Sequence, residues 1–368
     1  MSKLVWPDYK NCIANLPNSI LKKFGVETAG DTLPLLDKEL EKDYKNIVVL
    51  LLDGMGKCIL ERYLDENGPF RSHLAGVYNS VFLSTTVAAT TSVLSGLQPC
   101  EHCWLGWECY YPQIDKNVTV FRNTLQGTDE PAADYDVART YTPYEDIIHK
   151  LWDSGKQAHF VADYIPPNPQ SIEDICENIR QLCSEPGQKY IYAYWGEPDG
   201  LLHRHGGDSD KPKDELRHLE AVVSKMAEEL EDTLLVITAD HGHIDNEFAV
   251  LQDHPVLFNC LERMPSLEAR VLNFFVKEGM EQTFETEFNR EFGDSFILMP
   301  MEEVIERKLF GTGTPHECFR GMLGNYLAIA TDTLSLFFNK ERWKSMHGSK
   351  TEQEMRIPLI VYEKQRRA

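Results

Sequence analysis

Short apolar runs alternate with amphipathic stretches along most of this chain. Strands are predicted at 46–53, 77–84, 158–164, 189–196, 233–239, 325–331 and 357–362. Several of these runs are apolar throughout rather than at every second position, which is the signature of strands covered on both faces. Between 213 and 232, Leu216, Leu219, Val222, Val223, Met226 and Leu230 recur at helical spacing among Lys, Glu and Asp, predicting a surface helix with one buried stripe. The expected fold class is therefore α/β, a mostly parallel central sheet with helices on both faces. The rhythm breaks over 246–322. There a strand-like Val271–Val276, an acidic helical stretch at 279–293, a strand at 295–299 and a helix running to Phe310 predict a small inserted α+β subdomain. The core is then 1–245 with 323–368, and the insertion is placed to act as a lid. Gly311-Thr312-Gly313-Thr314-Pro315 reads as a hinge-like junction.

Where the apolar runs stop, polar residues gather. The run Thr233-Leu-Leu-Val-Ile-Thr-Ala closes on Asp240-His241-Gly242-His243. Asp53 closes the run from Asn46, Asp199 follows the run ending near Trp195 with His203 four residues on, and His347 precedes the last strand. Open α/β sheets bind ligands at the carboxyl ends of their strands. Four such clusters of carboxylate and imidazole point to a metal centre.

Composition narrows the setting. At 368 residues and 42 % hydrophobic, the chain can bury a large core. A formal net charge of -21 opposes coating of a nucleic-acid polymer or docking on anionic lipid, while bound divalent cations would still admit a small anionic substrate. Met1-Ser-Lys-Leu-Val-Trp-Pro-Asp contains no apolar stretch of signal-peptide length, and no long apolar run follows, so a soluble, cytoplasmic protein is expected. Nine cysteines in that setting read as reduced thiols. Cys100-Glu101-His102-Cys103 has the spacing of half a zinc knuckle, but no second pair completes it.

The hydroxyl-rich segment Ser84-Thr85-Thr86-Val87-Ala88-Ala89-Thr90-Thr91-Ser92 follows a predicted strand and runs into a helix. It reads either as an ordinary cap or as a nucleophile set at a helix N-terminus, where amides favour anions. A hydroxyl needs help to attack at neutral pH, and a divalent metal supplies it.

Five separated motifs agree in order with one family. Asp53-Gly-Met-Gly56, the Thr-rich segment through Ser95-Gly-Leu-Gln-Pro99 with Glu101-His102, Glu197-Pro-Asp199 with His203, Asp240-His241-Gly242, and His347-Gly348 resemble the alkaline phosphatase superfamily. The nearest branch is the type I phosphodiesterase/nucleotide pyrophosphatase group. The resemblance implies an alkaline phosphatase-like core and two divalent ions, with Asp53, Thr86, Asp240 and His241 on one and Asp199, His203 and His347 on the other. Oxygen and imidazole donors suit Zn²⁺ and accept Mn²⁺. It further implies attack by Thr86 on phosphorus, a phospho-threonine intermediate and its hydrolysis by water.

Rivals stay open at three positions. Thr85 neighbours Thr86, His205 neighbours His203, and His316 competes with His347, whose Gly348 and Met355 match the family's late segment. His243 is expected to orient a ligand. Family members usually carry Asn three residues after the nucleophile; here that position is Ala89, so the Val87 amide, Thr90 or Thr91 would hold a phosphate oxygen instead. Trp104 and Trp107 offer flat surface for a base or another leaving group. The expected substrate is a small phosphorylated compound, with a nucleotide as the leading candidate. A phosphomonoesterase or phosphonate hydrolase with the same metals is the alternative, and a non-catalytic metal-stabilised binding protein is the alternative of another kind. The sequence leaves the oligomeric state open.

Overall fold

The computed structural model describes residues 3–28, 30–338 and 342–364. Six strands form the central sheet: β1 (Asn46–Leu52), β2 (Leu74–Asn79), β3 (Gln157–Val161), β4 (Lys189–Trp195), β5 (Thr233–Thr238) and β6 (Arg356–Lys364), in the order β2-β6-β5-β1-β4-β3. β3, β4, β1 and β5 run parallel to one another, and β6 is antiparallel to both β5 and β2. Every residue of β1 and β5 is buried, which explains their unbroken apolar sequences. The strand predicted at 77–84 is displaced to 74–79, and Ser80 N–H leaves the ladder to donate to Met355 O.

The surface helix spans Asp210–Glu229. Ser209 caps it, and Leu216, Leu219, Val223 and Met226 form its buried stripe. The hydroxyl-rich segment is helical from Thr86 to Ser95, earlier than its pattern announces, and ends at Gly96 in the left-handed conformation (φ 76°).

A second sheet of seven strands orders as 296–300, 326–330, 271–274, 266–268, 108–111, 116–119 and 124–125. It draws on a wider stretch of chain than 246–322. The strand predicted at 325–331, assigned from sequence to the core segment 323–368, lies here, pairing antiparallel with Val271–Phe274 and Phe296–Pro300. Its apolar residues fit either sheet, and only pairing decides between them. The acidic stretch forms the helix Glu281–Phe292, whose Phe284, Phe288 and Phe292 pack on Phe274 and Phe296. The Gly311–Pro315 junction is fastened at one point, since Gln98 Oε1 accepts from Thr312 N–H (2.6 Å) and Gly313 N–H (3.2 Å). Among the described residues no helix is long and apolar enough to cross a membrane.

The two sheets are joined by a buried ion pair. Arg270, in the turn between 266–268 and 271–274, donates through Nε to Glu354 Oε1 (2.6 Å) and through Nη2 to Oε2 (3.0 Å), with both side chains fully buried. Glu354 also accepts from Ser349 N–H (2.9 Å) and the Thr351 hydroxyl (2.6 Å). Removing one member of such a pair strands the other charge. Glu354→Ala should therefore cost about 3–5 kcal/mol of stability. Urea unfolding of the two proteins measures it, and a loss below about 1 kcal/mol would show that the pair is not holding the sheets together.

Candidate metal centre

The register of the central sheet brings three carboxylates side by side. Leu51 pairs with Thr238 in β5 and Leu52 with Trp195 in β4, so Asp53, Asp240 and Asp199 emerge just beyond the carboxyl ends of three adjacent strands. Gly54 is in the left-handed region (φ 72°), and a Cβ there would lie 3.0 Å from Asp199 Cα and from the His243 ring. A Cβ on Gly56 would fall 2.3 Å from Gly242 Cα. The glycines after the strand-end acids thus permit the loops to interlock.

Two groups of donors result. Asp53, Asp240 and His241 form one, and Asp199, His203, His243 and His347 the other, each with its donor atoms within 4.8 Å of one another. The stacked rings of His241 and His347, 3.7 Å between centroids, join the groups. His205 and His316 lie outside both: His205 faces Lys211 Nζ (3.4 Å), and His316 Nδ1 accepts from Cys318 N–H.

Hydrogen bonds fix how each side chain presents itself. His203 Nδ1 donates to Ser345 O (2.8 Å), His347 Nδ1 to Ser84 O (3.2 Å) and His241 Nδ1 to Gly242 O (3.2 Å). Ser345 Oγ donates to Ile244 O, so it accepts from His243 Nδ1 (3.1 Å). With the Nδ1 protons so engaged, all four Nε2 lone pairs turn inward. His203 Nε2 faces His347 Nε2 at 3.1 Å, and His243 Nε2 faces Asp199 Oδ1 at 2.6 Å. Burial first of all pushes His203 down to about 4 and His347 well below the ordinary imidazole value.

The carboxylates follow the same rule. Asp53 Oδ2 accepts from the Tyr194 hydroxyl (2.5 Å), and Asp240 Oδ1 accepts from Gly54 N–H (3.1 Å) and His241 N–H (3.0 Å). Their other oxygens, Asp53 Oδ1 and Asp240 Oδ2, are buried without a hydrogen-bond partner. Both point at His241 Nε2, at 3.4 and 3.3 Å. Burial, then the neighbouring Asp240 and Asp199, pushes Asp53 well above the usual carboxylate range. Burial also opposes ionisation of Asp199, but His203, His243 and His347 outweigh it and hold its carboxyl well below that range. Among the described residues no Lys or Arg nitrogen pairs with Asp53, Asp199 or Asp240. Orphaned carboxylate oxygens and converging imidazole lone pairs, buried together, fit two divalent cations.

Thr86 stands at this centre. It opens its helix, and its Oγ1 lies 3.2 Å from His241 Nε2. Thr85 is engaged elsewhere, its hydroxyl donating to Glu268 Oε1 (2.6 Å). Val87 is buried in the first turn of the same helix. The Thr90 hydroxyl donates to Thr86 O (2.6 Å), and Ala89 packs into the main core. Trp104 is 4 % exposed and spends its indole N–H on Thr142 O, whereas Trp107 is half-buried with its ring edge toward Phe121, itself 48 % exposed. Cys100 lies in the short helix Pro99–His102 and Cys103 follows it, both as buried thiols, and His102 between them bonds to the Ser92 hydroxyl.

Sequence reasoning gave His243 an orienting place, whereas the structure sets it among the donors themselves; its position two residues past His241 at a strand end was the signal. Glu268, whose carboxyl burial raises to about 7, was missed because nothing in Ser266-Leu-Glu268 distinguishes it from a surface acid.

The family described as "Type I phosphodiesterase / nucleotide pyrophosphatase" matches residues 47–272. No curated protein sequence matches the chain. Among solved structures, an inactive form of murine ectonucleotide pyrophosphatase/phosphodiesterase 5 in complex with AMP is similar at 16 % identity, with a TM-score of 0.64 over 88 % of this chain and 91 % of that one. Phosphonoacetate hydrolase from Sinorhizobium meliloti 1021, in complex with phosphonoacetate, is similar at 14 % identity, with a TM-score of 0.65 over 93 % of each chain. The chain belongs to the type I phosphodiesterase/nucleotide pyrophosphatase family of the alkaline phosphatase superfamily, metal-dependent hydrolases of phosphoric ester and anhydride bonds.

Proposed function

We propose that this protein hydrolyses a small phosphodiester or pyrophosphate, with Thr86 as nucleophile and two divalent ions, most suitably Zn²⁺ or alternatively Mn²⁺. Asp53, Thr86, Asp240 and His241 would hold one ion and Asp199, His203 and His347 the other, with His243 added to the second set. The observation that carries this reading is the Thr86 hydroxyl, set at a helix N-terminus 3.2 Å from Nε2 of His241, one of the first donor group. When bound, such a pair lowers the pKa of a hydroxyl and offsets charge on phosphorus oxygens.

The chain's own residues do the rest. The first-turn amides of the 86–95 helix, Val87 included, have no helical carbonyl partner and face the phosphate oxygens. Thr86 Oγ1 attacks phosphorus as the P–O bond to the ester oxygen breaks, the hydroxyl proton ends on that departing oxygen, and water then hydrolyses the phospho-threonine. Trp107, beside the exposed Phe121, supplies flat surface for the leaving group, for which a nucleoside fits, while the buried Trp104 supports that wall. The AMP held by the murine relative supports a nucleotide as the substrate class. The similarity to phosphonoacetate hydrolase keeps a phosphonate or monoester substrate as the second reading. All nine cysteines are free, which supports a cytoplasmic setting, and 246–322 with its partner strands is proposed as the lid.

Metal-quantified protein should cleave bis-p-nitrophenyl phosphate faster than p-nitrophenyl phosphate with Zn²⁺ or Mn²⁺ added. The opposite order selects the second reading, and no turnover of either with two ions bound would sink the hydrolase assignment. Thr86→Ala should lower turnover by about a thousandfold or more with metal content unchanged. Near-normal turnover in that variant would exclude a covalent intermediate on Thr86. Asp240→Asn keeps an oxygen for Gly54 and His241 but replaces the orphaned oxygen with an amide. It should bind one ion rather than two by elemental analysis, and two ions would remove Asp240 from the ligand set.

A further inference from the structure

We propose that Glu268 is a positioning residue that keeps the start of the nucleophile helix uncapped and therefore open to phosphate. The inference rests on the reading of Thr86 as nucleophile. Thr85 occupies the N-cap position, with extended backbone (φ -134°, ψ 151°), and its carbonyl accepts the first helical bond from Ala89 N–H (2.9 Å). A threonine placed there ordinarily turns its hydroxyl onto an amide of the first turn. Thr85 makes no such bond. Its hydroxyl instead donates to Glu268 Oε1 at 2.6 Å, and the same oxygen accepts from Trp107 N–H at 2.9 Å.

The arrangement is built from three parts of the chain. Glu268 ends a strand of the second sheet and is 7 % exposed. Gly348, next to His347, makes room for it. A Cβ there would stand 3.2 Å from Glu268 Cγ, and Gly348 (φ 117°) bridges to Ser84 just ahead of Thr85. A buried acid thus reaches across to draw away one hydroxyl and hold the Trp107 segment at the same atom. The consequence is local. With Glu268 in place, the first-turn amides are left for the substrate's oxygens; without it, the Thr85 hydroxyl is released to rotate onto them.

Both bonds need the acceptor oxygen of Glu268 and not its charge. Glu268→Gln retains an acceptor for both donors, Glu268→Ala does not, and Thr85→Val removes the hydroxyl that would otherwise cap. On metal-loaded protein, Glu268→Ala should lower kcat/KM by about 10- to 100-fold, the scale of a small misplacement at a reacting centre, with metal content little changed. Glu268→Gln should stay within about threefold of the parent, and adding Thr85→Val to Glu268→Ala should restore most of the loss. Calorimetric binding of inorganic phosphate should follow the same order, which reads the open amides without turnover. Normal kcat/KM and phosphate binding in Glu268→Ala would overturn the inference, as would failure of Thr85→Val to rescue. Equal damage from Gln and Ala would overturn it in favour of proton chemistry by the carboxyl. Absence of turnover in the parent protein would instead count against the hydrolase reading, leaving the phosphate-binding order to decide the role of Glu268.

Discussion

The buried pairing of Arg270 with Glu354 is the interaction on which the geometry of this protein depends. Arg270 belongs to the second sheet, and Glu354 follows the loop that carries His347. The backbone carbonyl of Glu354 accepts from Gly242 N–H (2.9 Å), inside the loop that carries His241 and His243. One residue therefore anchors both late histidine loops while its side chain is locked to the other sheet. Glu354 is satisfied from every direction by Arg270, Ser349 and Thr351, which is the condition under which a buried charge is tolerated. Arg270 completes its own set by donating to Leu334 O and Asp332 O.

The donor groups invert that principle. Around Glu354 each polar atom has a partner, whereas at the strand ends the partners stop one atom short. Tyr194, Gly54 and the carbonyls of Ser84, Gly242 and Ser345 fix one side of each ligand and leave the other bare. Isolated charges in such surroundings are costly, and among the described residues of a chain with 58 acidic against 37 Lys and Arg residues no Lys or Arg pairs with these carboxylates. Two divalent ions would answer the deficit. The second sheet then reaches the same centre through Glu268, so that both layers of the molecule bear on the start of one helix.

Much of this was legible in the chain. Continuous apolar runs marked the strands of the central sheet because burial on both faces leaves no place for polar residues. Asp53, Asp199, His203, Asp240, His241 and His347 stood out because a carboxylate or imidazole at the end of such a run has no packing role there. Other features were not legible. The strand at 326–330 reads the same whichever sheet it joins, and the beginning of the helix at Thr86 is hidden by threonines that suit a loop equally well.

The sequence by itself determined the class of fold, the order of the strands along the chain and the chemical type of the site, because hydrophobic period and donor type are local properties. Tertiary structure decided the rest. It engaged Thr85 with Glu268 while leaving Thr86 beside His241, gathered His203, His243 and His347 into one donor group, and left His205 and His316 outside it. Those outcomes depend on residues more than a hundred positions apart meeting within hydrogen-bond distance, and no periodicity or spacing along one chain carries that information.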